Sequence, residues 1–565
     1  MPKKSKKAKE HSSEAKKKQK KLQRAEKPSF VFKYRSITFL VFTIFLLVLL
    51  AWENRFIQDD AFISFRYADN LAHGNGLTWN IGERVEGYTN FLWTLLMCVP
   101  ILLNISPVTF SQGLGLLFFL FTLISTYKLS CMIFRSKQFA LLTTVLLGTN
   151  YTFSAFATGG LETQLQALLI VTNTYSVFRV IRTNTWSFVH LIMLSLVSSA
   201  ALLTRLDSAI PLFFNFLVVI FYLLKQNIHF REKLSKIAWL CLPFLAIIGS
   251  WFIWKLAYYG DILPNTYYAK VSSISRYEQG LFYCFAFIKS YWLYPFPLLF
   301  VLASIKIFKK SNIELCSIAL IQLMWCLYII RIGGDFMEFR FFAPVMPLLF
   351  VLIAWLIYDF IKQPIVRIIL TALVLIGSFN HAKKFTYVKG IESISQLHGH
   401  IINDRENWDE IGLLLGRLFP HDVSGVVIAV NPAGAIPYYS RLETVDMLGL
   451  NDKWIAKNGK PIESQPGHEK IAPFDYLLDR KVNFIIGHPR VLPHNLAYRL
   501  KYSIKDLRLF GVVDATANNL PLNSKVIEIP LNRKFKITML YLVQNAFVDK
   551  VVQRNKLRSY EIARF

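Results

Sequence analysis

The sequence QDDAFISFRYADNLAHGNGLTWNIGERVEGYTNFLW, residues 58–93, follows the first long apolar run of the chain, residues 36–52. It begins with two adjacent carboxylates, Asp59 and Asp60, and continues with a segment rich in Asn, Gly, Arg and Tyr. Acidic side chains beside a membrane span are costly unless they meet water, a cation or a substrate. This segment therefore predicts a functional loop around which the rest of the chain is arranged.

Composition indicates a membrane protein. Of the 565 residues, 54% are hydrophobic and 18% are charged, and the charged fraction is below the ~25% of ordinary soluble domains. The net charge of +28 would suit nucleic-acid binding, but residues 1–35 alone hold 14 Lys and Arg against 3 Glu. We expect this segment to be a disordered, basic cytoplasmic tail that contacts anionic lipid, and we expect no nucleic-acid partner.

Loop basicity predicts the topology, because basic loops remain in the cytoplasm. The apolar run 91–103 has the length of a non-crossing helix, and treating it so leaves the basic loop 128–137 inside. The transmembrane domain then covers residues 36–380, with a first extracytoplasmic loop over 53–106 and about eleven spans. The predicted spans are 36–52, 107–127, 139–156, 161–178, 186–203, 210–224, 237–256, 292–307, 313–330, 342–360 and 366–379.

The composition changes after residue 380. Residues 383–419 have helical periodicity, and short β-branched runs follow at Val426, Val482, Lys525 and Ile537. These patterns predict one α/β domain over residues 381–565, which the odd number of spans places outside the cytoplasm.

The same topology collects the other polar motifs at the extracytoplasmic ends of helices. These residues are Asp59, Asp60, Glu162, Arg205, Asp207, Asp261, Lys270, Asp335, Glu338 and Arg340. Because loop basicity alone set the topology, their convergence on one side predicts a shared polar cavity.

The loop at residues 58–93 resembles the first extracytoplasmic loop of a family of bacterial GT-C membrane glycosyltransferases, which includes the mycobacterial terminal arabinofuranosyltransferase. Further matching strings are TGGLET at Thr158, LLTRLDS at Leu202, YYGDILPNTYYAK at Tyr258, GGDFMEFRFFAPVMPLL at Gly333, AGAIPYYSRLETVDMLGLND at Ala433 and PGHEK at Pro466. The resemblance implies a polytopic α-helical GT-C fold, a polyprenyl-phosphate sugar donor, and transfer with inversion.

Glycosyl transfer needs a base that removes a proton from the acceptor hydroxyl. The resemblance implies that a carboxylate of the first loop is this base, and a neighbouring carboxylate would raise its pKa. The sequence leaves open which acid acts. We favour Asp59 as the base, with Asp60 orienting the sugar; two solvated loop acids are the alternative.

The departing phosphate needs cations, since guanidinium and ammonium groups bind phosphate oxygens. The candidates are Arg66, Arg84, Arg205, Lys270 and Arg340. The alternative for Arg205 is an ion pair with Asp207, and for Arg340 an ion pair with Glu338. Carboxylate, amide and imidazole groups bind sugar hydroxyls, and the remaining substrate-binding candidates are Glu162, Asp207, Asn265, Asp335, Glu338 and His468.

Nucleotide- and zinc-binding motifs are missing from the sequence, so we expect no nucleotide cofactor. A divalent cation remains an open alternative: Asp59 and Asp60 could ligate one, although the loop lacks the further paired acids of a typical metal site. We expect an enzyme of the bacterial inner membrane that moves a sugar from polyprenyl phosphate to a hydroxyl of an envelope glycan or lipid. The main interpretation of the sugar is a pentose like arabinofuranose. The alternatives are another sugar such as mannose or an aminosugar, a lipid-linked glycan transporter, and a membrane-anchored glycan-binding scaffold.

Overall fold

The computed structural model describes residues 30–270, 276–309, 312–403, 406–462, 467–496, 499 and 501–564. Residues 1–29 of the predicted basic tail lie outside these ranges. The first helix begins at Phe30, before the predicted start of the first span at residue 36.

The part of the chain before residue 390 is helical. Its helices are α1 Phe30–Glu53, α2 Asp59–Ala72, α3 Phe91–Leu96, α4 Cys98–Leu102, α5 Pro107–Phe134, α6 Lys137–Gly148, α7 Tyr151–Ala155, α8 Thr163–Thr183, α9 Phe188–Thr204, α10 Ala209–Lys225, α11 Phe230–Tyr259, α12 Asn265–Lys270, α13 Tyr277–Ser290, α14 Pro295–Lys309, α15 Ile313–Ile332, α16 Met346–Trp355 and α17 Pro364–Lys384. Short 3-10 helices cover Leu206–Ser208 and Arg340–Val345, and a π-helical turn covers Leu356–Phe360.

Six helical segments among the described residues are long and apolar enough to cross a membrane. They are Pro107–Phe134, Leu206–Lys225, Phe230–Tyr259, Ile313–Ile332, Arg340–Phe360 and Pro364–Lys384. The chain is therefore a multi-pass membrane protein. The shorter apolar helices, among them Ile37–Glu53 and Phe188–Thr204, leave the count of eleven spans a prediction.

Two predicted spans differ from the observed helices. The run 139–156 is divided between α6 and α7, because Asn150 caps the second helix by accepting a hydrogen bond from the Phe153 N–H. The run 292–307 is one arm of a bent pair, α13 and α14, whose axes differ by 101°. Trp292 in the bend has a φ of 55°, a conformation that ends a helix.

The C-terminal part is an α/β unit built on a mixed sheet. The strands are β1 Val427–Val430, β2 Glu443–Asp446, β3 Lys460–Pro461, β4 Lys470–Ile471, β5 Phe484–Gly487, β6 Val491–Pro493, β7 Tyr502–Ser503, β8 Lys525–Pro530, β9 Phe535–Tyr541 and β10 Arg558–Ala563. The order is β2-β1-β5-β9-β8-β10-β7, with β6 beside β9, and β3 pairs with β4 separately. Strands β2, β1 and β5 are parallel. Strand β9 is antiparallel to β5 and β8, and β8 is antiparallel to β10, whereas β10 pairs with β7 in parallel.

Helices cover this sheet and join it to the first loop. They are α18 Ile394–Ile402, α19 Trp408–Leu418, α20 His421–Ser424, α21 Ala435–Ser440, α22 Lys453–Asn458, α23 Phe474–Asp479 and α24 Ala546–Arg554, with a 3-10 helix over Ile504–Phe510. The four predicted β-branched runs form β1, β5, β8 and β9, and the predicted helix over 383–419 is divided into α17, α18 and α19.

The first loop and the α/β unit share one hydrophobic core. Phe62 and Phe65 of α2 are fully buried in the same cluster as Ile436 of α21 and Ile428 of β1. Complete burial of one such side chain stabilises the fold by about 1.5–3 kcal/mol. Helix α2 therefore packs against the C-terminal sheet within one continuous core.

Candidate active site

Asp60 lies in the first turn of α2, where the Gln58 side chain caps the helix by accepting a hydrogen bond from the Asp60 N–H. A carboxylate at this end of a helix is favoured by the helix dipole. The Asp60 side chain is 30% exposed, and its Oδ2 lies 3.7 Å from an Nη atom of Arg340. Asp60 is thus paired with a cation and still accessible.

Arg340 is positioned by the tight segment that follows α15. Gly333 and Gly334 have φ values of 87° and 77°, and a Cβ at Gly334 would lie 2.7 Å from Tyr283. Only glycine fits there, so the chain turns sharply into the 3-10 helix that begins with Arg340. The Arg340 Nε lies 2.7 Å from Asp335 Oδ2, which fixes the guanidinium between two carboxylates.

A second arginine, Arg205, lies between α9 and α10 and is saturated by acids. It contacts Glu162 at 2.8 Å and Asp207 at 2.9 Å. The guanidinium groups of Arg205 and Arg340 both lie over the ring of Phe341, at 5.8 and 5.2 Å from its centre. This shared aromatic ring holds the two arginines in one arrangement.

Lys270, at the end of α12, is the cation that remains available. Its side chain is exposed, and among the described residues no carboxylate lies within ion-pairing distance of its ammonium group. The segment of the C-terminal unit around Gly467 packs on it, since a Cβ there would lie 3.5 Å from Lys270 Cε. His468 follows, with its ring 5.2 Å from that of Phe336.

We call Asp60, Glu162, Arg205, Asp207, Lys270, Asp335 and Arg340 the ion cluster. Burial raises the pKa of Asp60, although the charges of Arg340 and Lys270 oppose that shift. Although part of the Lys270 side chain is exposed, the protein groups packed around it desolvate the ammonium and lower its pKa, against the opposing charge of Asp60. His468 beside them has its pKa lowered to about 4 by burial and by Lys270, so its imidazole is neutral at pH 7. The ion cluster therefore combines an accessible carboxylate of raised basicity with an unpaired cation.

Asp59 has a different environment from the one predicted for a base. Its Oδ1 accepts a hydrogen bond from the Ala435 N–H at 2.7 Å, and its Oδ2 accepts one from the Gly434 N–H at 3.0 Å. Burial raises its pKa to about 7, while these two backbone groups and the neighbouring charge of Asp60 modify the shift. Because both oxygens are used to bind the C-terminal unit, the geometry favours Asp60 rather than Asp59 as the base.

The structure also gives Arg66 and Glu338 roles other than substrate binding. Arg66 is buried and donates hydrogen bonds to the carbonyl oxygens of Trp79, Pro437 and Leu442 and to the Asn80 side chain. The predicted pairing of Arg340 with Glu338 is absent from the described contacts.

Glu338 is instead enclosed between the membrane helices and the C-terminal unit. It accepts hydrogen bonds from Ile394 N at 2.9 Å and Thr152 Oγ1 at 3.2 Å, and it lies 2.7 Å from His381 Nε2. Burial of these carboxylate oxygens prevents contact with a substrate, so this residue is an anchor.

Two further predicted residues lie outside the ion cluster. Asn265 donates from its amide to the carbonyl oxygens of Gly449 and Leu450, both at 2.9 Å. Arg84 is exposed and lies 4.7 Å above the ring of Tyr258. The first residue joins α12 to the C-terminal unit, and the second lies on an aromatic surface.

Sequence reasoning missed three residues that support the ion cluster. Asn90 donates to Glu162 at 2.8 Å, Gln166 donates to Asp207 at 2.5 Å, and Phe341 carries the two arginines. Gln166 could have been found, because it is four residues after Glu162 and therefore on the same helix face. The other two gave no periodic signal.

Comparison with solved structures defines the class of protein. ArnT from Cupriavidus metallidurans, in a crystal structure with undecaprenyl phosphate bound, superposes with a TM-score of 0.54 over 89% of this chain and 97% of that one, at 11% identity. The chain therefore has the GT-C fold, and the predicted combination of a polytopic helical domain with a C-terminal α/β domain is confirmed.

Sequence comparison then gives the particular relatives. The chain is 28% identical over 255 residues to the terminal β-(1→2)-arabinofuranosyltransferase of Mycobacterium tuberculosis, covering 43% of this chain and 39% of the relative. It is 25% identical over 338 residues to the enzyme of the same name in Corynebacterium glutamicum, covering 51% and 46%. The matches thus span less than half of either relative. A family described as a domain of unknown function (DUF8728) matches residues 398–529. The resemblance noted from the sequence is confirmed.

Proposed function

We propose that this protein is an inverting glycosyltransferase that moves a pentose, arabinofuranose or one closely like it, from a polyprenyl-phosphate donor to a hydroxyl of a cell-envelope glycan or lipid. One observation carries the proposal: the accessible Asp60 carboxylate lies among Arg340, Lys270 and the other members of the ion cluster. The similarity to arabinofuranosyltransferases and the GT-C fold support the donor class and the pentose.

Asp60 acts as the base in this mechanism. It accepts the proton of the acceptor hydroxyl while the acceptor oxygen forms a bond to the anomeric carbon and the bond from that carbon to the phosphate oxygen breaks. The polyprenyl phosphate leaves with the bonding electrons. Attack and departure occur on opposite sides of the sugar, so one displacement inverts the anomeric configuration.

The cations have separate tasks. Lys270 binds the donor phosphate, because its ammonium is exposed and unpaired among the described residues. Arg340 lies between Asp335 and Asp60, where it orients the base and contributes charge to the leaving phosphate. Arg205 is held by Glu162 and Asp207, so these three groups form the wall of the site. In this proposal Glu162, Asp207 and Asp335 hold the two arginines in place, and His468, which is only partly buried, contacts a sugar hydroxyl.

We further propose a location and an orientation for the protein. We place the protein in the bacterial inner membrane with residues 1–35 in the cytoplasm and the C-terminal unit outside, where it positions the acceptor. This orientation is supported by the basic tail and by the basic loop at residues 128–137, because basic segments remain in the cytoplasm. The bilayer surrounds the apolar helices and supplies the lipid-linked donor.

A divalent cation is a separate question for the assay. In the described ranges, no group of three His, Cys, Asp or Glu side chains is arranged to hold a metal ion. We propose that Lys270 and Arg340 supply the positive charge, and transfer in the presence of EDTA should then equal transfer with added Mg²⁺ or Mn²⁺. Loss of transfer in EDTA with rescue by a metal would add a cation to the site.

The decisive experiment compares wild type with Asp60→Asn at matched membrane content. Polyprenyl-phosphate arabinofuranose and a panel of other polyprenyl-phosphate sugars serve as donors, with envelope extract as acceptor. We expect wild type to use the pentose and Asp60→Asn to lose about 10²–10⁴-fold in kcat, the usual contribution of a positioned base. Asp479→Asn, a change at an exposed position of α23, is the matched control and should retain full activity.

Two results would overturn parts of this proposal. Transfer by Asp60→Asn at the wild-type rate removes Asp60 from the base role. A wild-type protein that transfers no sugar from any lipid donor removes the transferase assignment itself.

A further inference from the structure

A second polar groove lies against the C-terminal half of α2, apart from the ion cluster. Its volume is about 370 Å³, and it is formed by the first loop on one side and by segments around α20 and α21 on the other. The ion cluster contributes no residue to its lining. The groove is therefore a distinct feature of the boundary between the loop and the C-terminal unit.

The geometry of α2 separates the two sites. Asp69 lines the groove and follows Asp60 by nine residues, which corresponds to roughly 14 Å along a helix axis. At 100° per residue these two side chains also point to opposite sides of the helix. A single sugar at Asp60 therefore cannot reach the groove.

The groove wall has the chemistry of a carbohydrate site. Asp69, His73 and Tyr438 supply acceptors and donors that suit hydroxyl groups. The floor includes Trp79, which is 1% exposed and whose indole N–H has no hydrogen-bond partner among the described residues. A buried N–H of this kind is costly unless a ligand or solvent oxygen accepts its hydrogen bond.

The charges that line the groove favour an uncharged ligand over an anion. Arg66, the cation at the floor, already donates to three carbonyl oxygens and one amide oxygen, so it is not available to a phosphate. The carboxylates of Asp69 and Glu443 offset Arg441 at the rim. The groove therefore favours a neutral ligand with many hydroxyl groups.

We propose that this groove is a binding site for a neutral oligosaccharide, the part of the acceptor glycan that lies several sugar units from the reacting hydroxyl. The assignment of that ligand as acceptor rests on the proposed glycosyltransferase function, whereas the binding itself does not. The proposal predicts a preference for long acceptor chains over short ones, because a short acceptor at Asp60 does not extend to the groove.

Binding to the full chain in lipid nanodiscs tests the proposal. The probes are neutral oligosaccharides of arabinofuranose, mannose and glucose, each as a monosaccharide and a hexasaccharide, measured by calorimetry. We expect one hexasaccharide to bind and its monosaccharide not to bind. The double variant Asp69→Asn/Tyr438→Phe should weaken hexasaccharide binding by about tenfold or more, since two hydrogen-bonding groups are changed.

The controls distinguish this proposal from the preceding one. Asp479→Asn and Tyr387→Phe change the same residue types at exposed positions outside the groove, and both should bind the hexasaccharide like wild type. Asp60→Asn should lose transfer and still bind. Failure of every hexasaccharide to bind, or equal binding by the groove variant and wild type, would overturn the groove assignment and leave the Asp60 mechanism intact. Transfer by Asp60→Asn at the wild-type rate would overturn the Asp60 mechanism and leave the groove assignment intact.

Discussion

The first turn of α2 carries two aspartates, Asp59 and Asp60, that differ in exposure and in hydrogen-bond partners. Asp60 is 30% exposed and lies 3.7 Å from a guanidinium nitrogen, whereas Asp59 is buried with both oxygens bound to backbone N–H groups of the C-terminal unit. A step of 100° around the helix separates them. The comparison shows that the partners of a carboxylate, rather than its place in a motif, decide whether it is free to react or only connects two parts of the fold.

Among changes that leave Asp60 in place, the largest loss of transfer should come from removing the charge of Lys270. Lys270→Met keeps most of the apolar length of the side chain and removes the unpaired charge. We expect kcat/KM for the lipid donor to fall by about 10–100-fold, the equivalent of one charge-assisted hydrogen bond. Steady-state transfer kinetics in nanodiscs measure it, and Lys389→Met, in a segment near α17, is the matched control. An unchanged kcat/KM would mean that Arg340 alone binds the phosphate.

Asp59→Asn tests the other side of the comparison. An amide can accept only one of the two hydrogen bonds that the carboxylate accepts from Gly434 and Ala435. We expect a loss of about 1–3 kcal/mol in the attachment of α2 to the C-terminal unit, seen as faster proteolysis and a lower Tm. Transfer per folded molecule should remain far above that of Asp60→Asn. If instead Asp59→Asn folds normally and is inactive, the two aspartates have been assigned in the wrong order.

The pH dependence of this attachment follows from the raised pKa of Asp59. Its usual value is 3.8 and its value in the folded protein is about 7, so the folded state binds more protons between these limits. Stability from this group therefore falls as the pH rises from about 4 to 7 and levels off above 7. Thermal melts of wild type and Asp59→Asn across this range should show a difference that changes with pH only inside it; a constant difference would place the pKa elsewhere.

The smallest effect on transfer is expected from a change at Arg84, which lies outside the ion cluster. Its guanidinium is exposed over the ring of Tyr258, and such contacts at exposed sites contribute about 0.5–1 kcal/mol. Arg84→Ala should change kcat/KM by less than about threefold. A loss as large as that of Lys270→Met, measured in the same assay, would extend the phosphate site to the loop.

Sequence patterns predicted those parts of the fold that depend on local chemistry. The β-branched runs at β1, β5, β8 and β9 and the long apolar helices are visible because burial imposes a period or a length on the chain. The break between α6 and α7 was missed, although Asn150 is a typical N-cap residue. It is stabilised by a contact from the Tyr151 N–H to the Ser378 hydroxyl, 227 positions along the chain.

The candidate site also contains residues whose roles the sequence could predict and residues whose roles it could not. Lys270, Arg205 and Arg340 could be proposed because paired motifs place them at helix ends on one side. Arg66 could not be separated from them, since its partners are carbonyl oxygens as distant as Leu442 and carry no side-chain signature. Residue type predicts what a group can bind, and only the fold shows whether that capacity is already used.

The cradle around Asp59 has a consequence for protein engineering. A Cβ at Gly434 would lie 2.0 Å from the Asp59 carbonyl oxygen, so the two segments were matched to one another atom by atom. The C-terminal unit is consequently not an exchangeable module. A chimaera with a relative will require the first loop and residues 434–442 from the same parent, because segments from different parents would not keep the close contact between Gly434 and the Asp59 carbonyl oxygen.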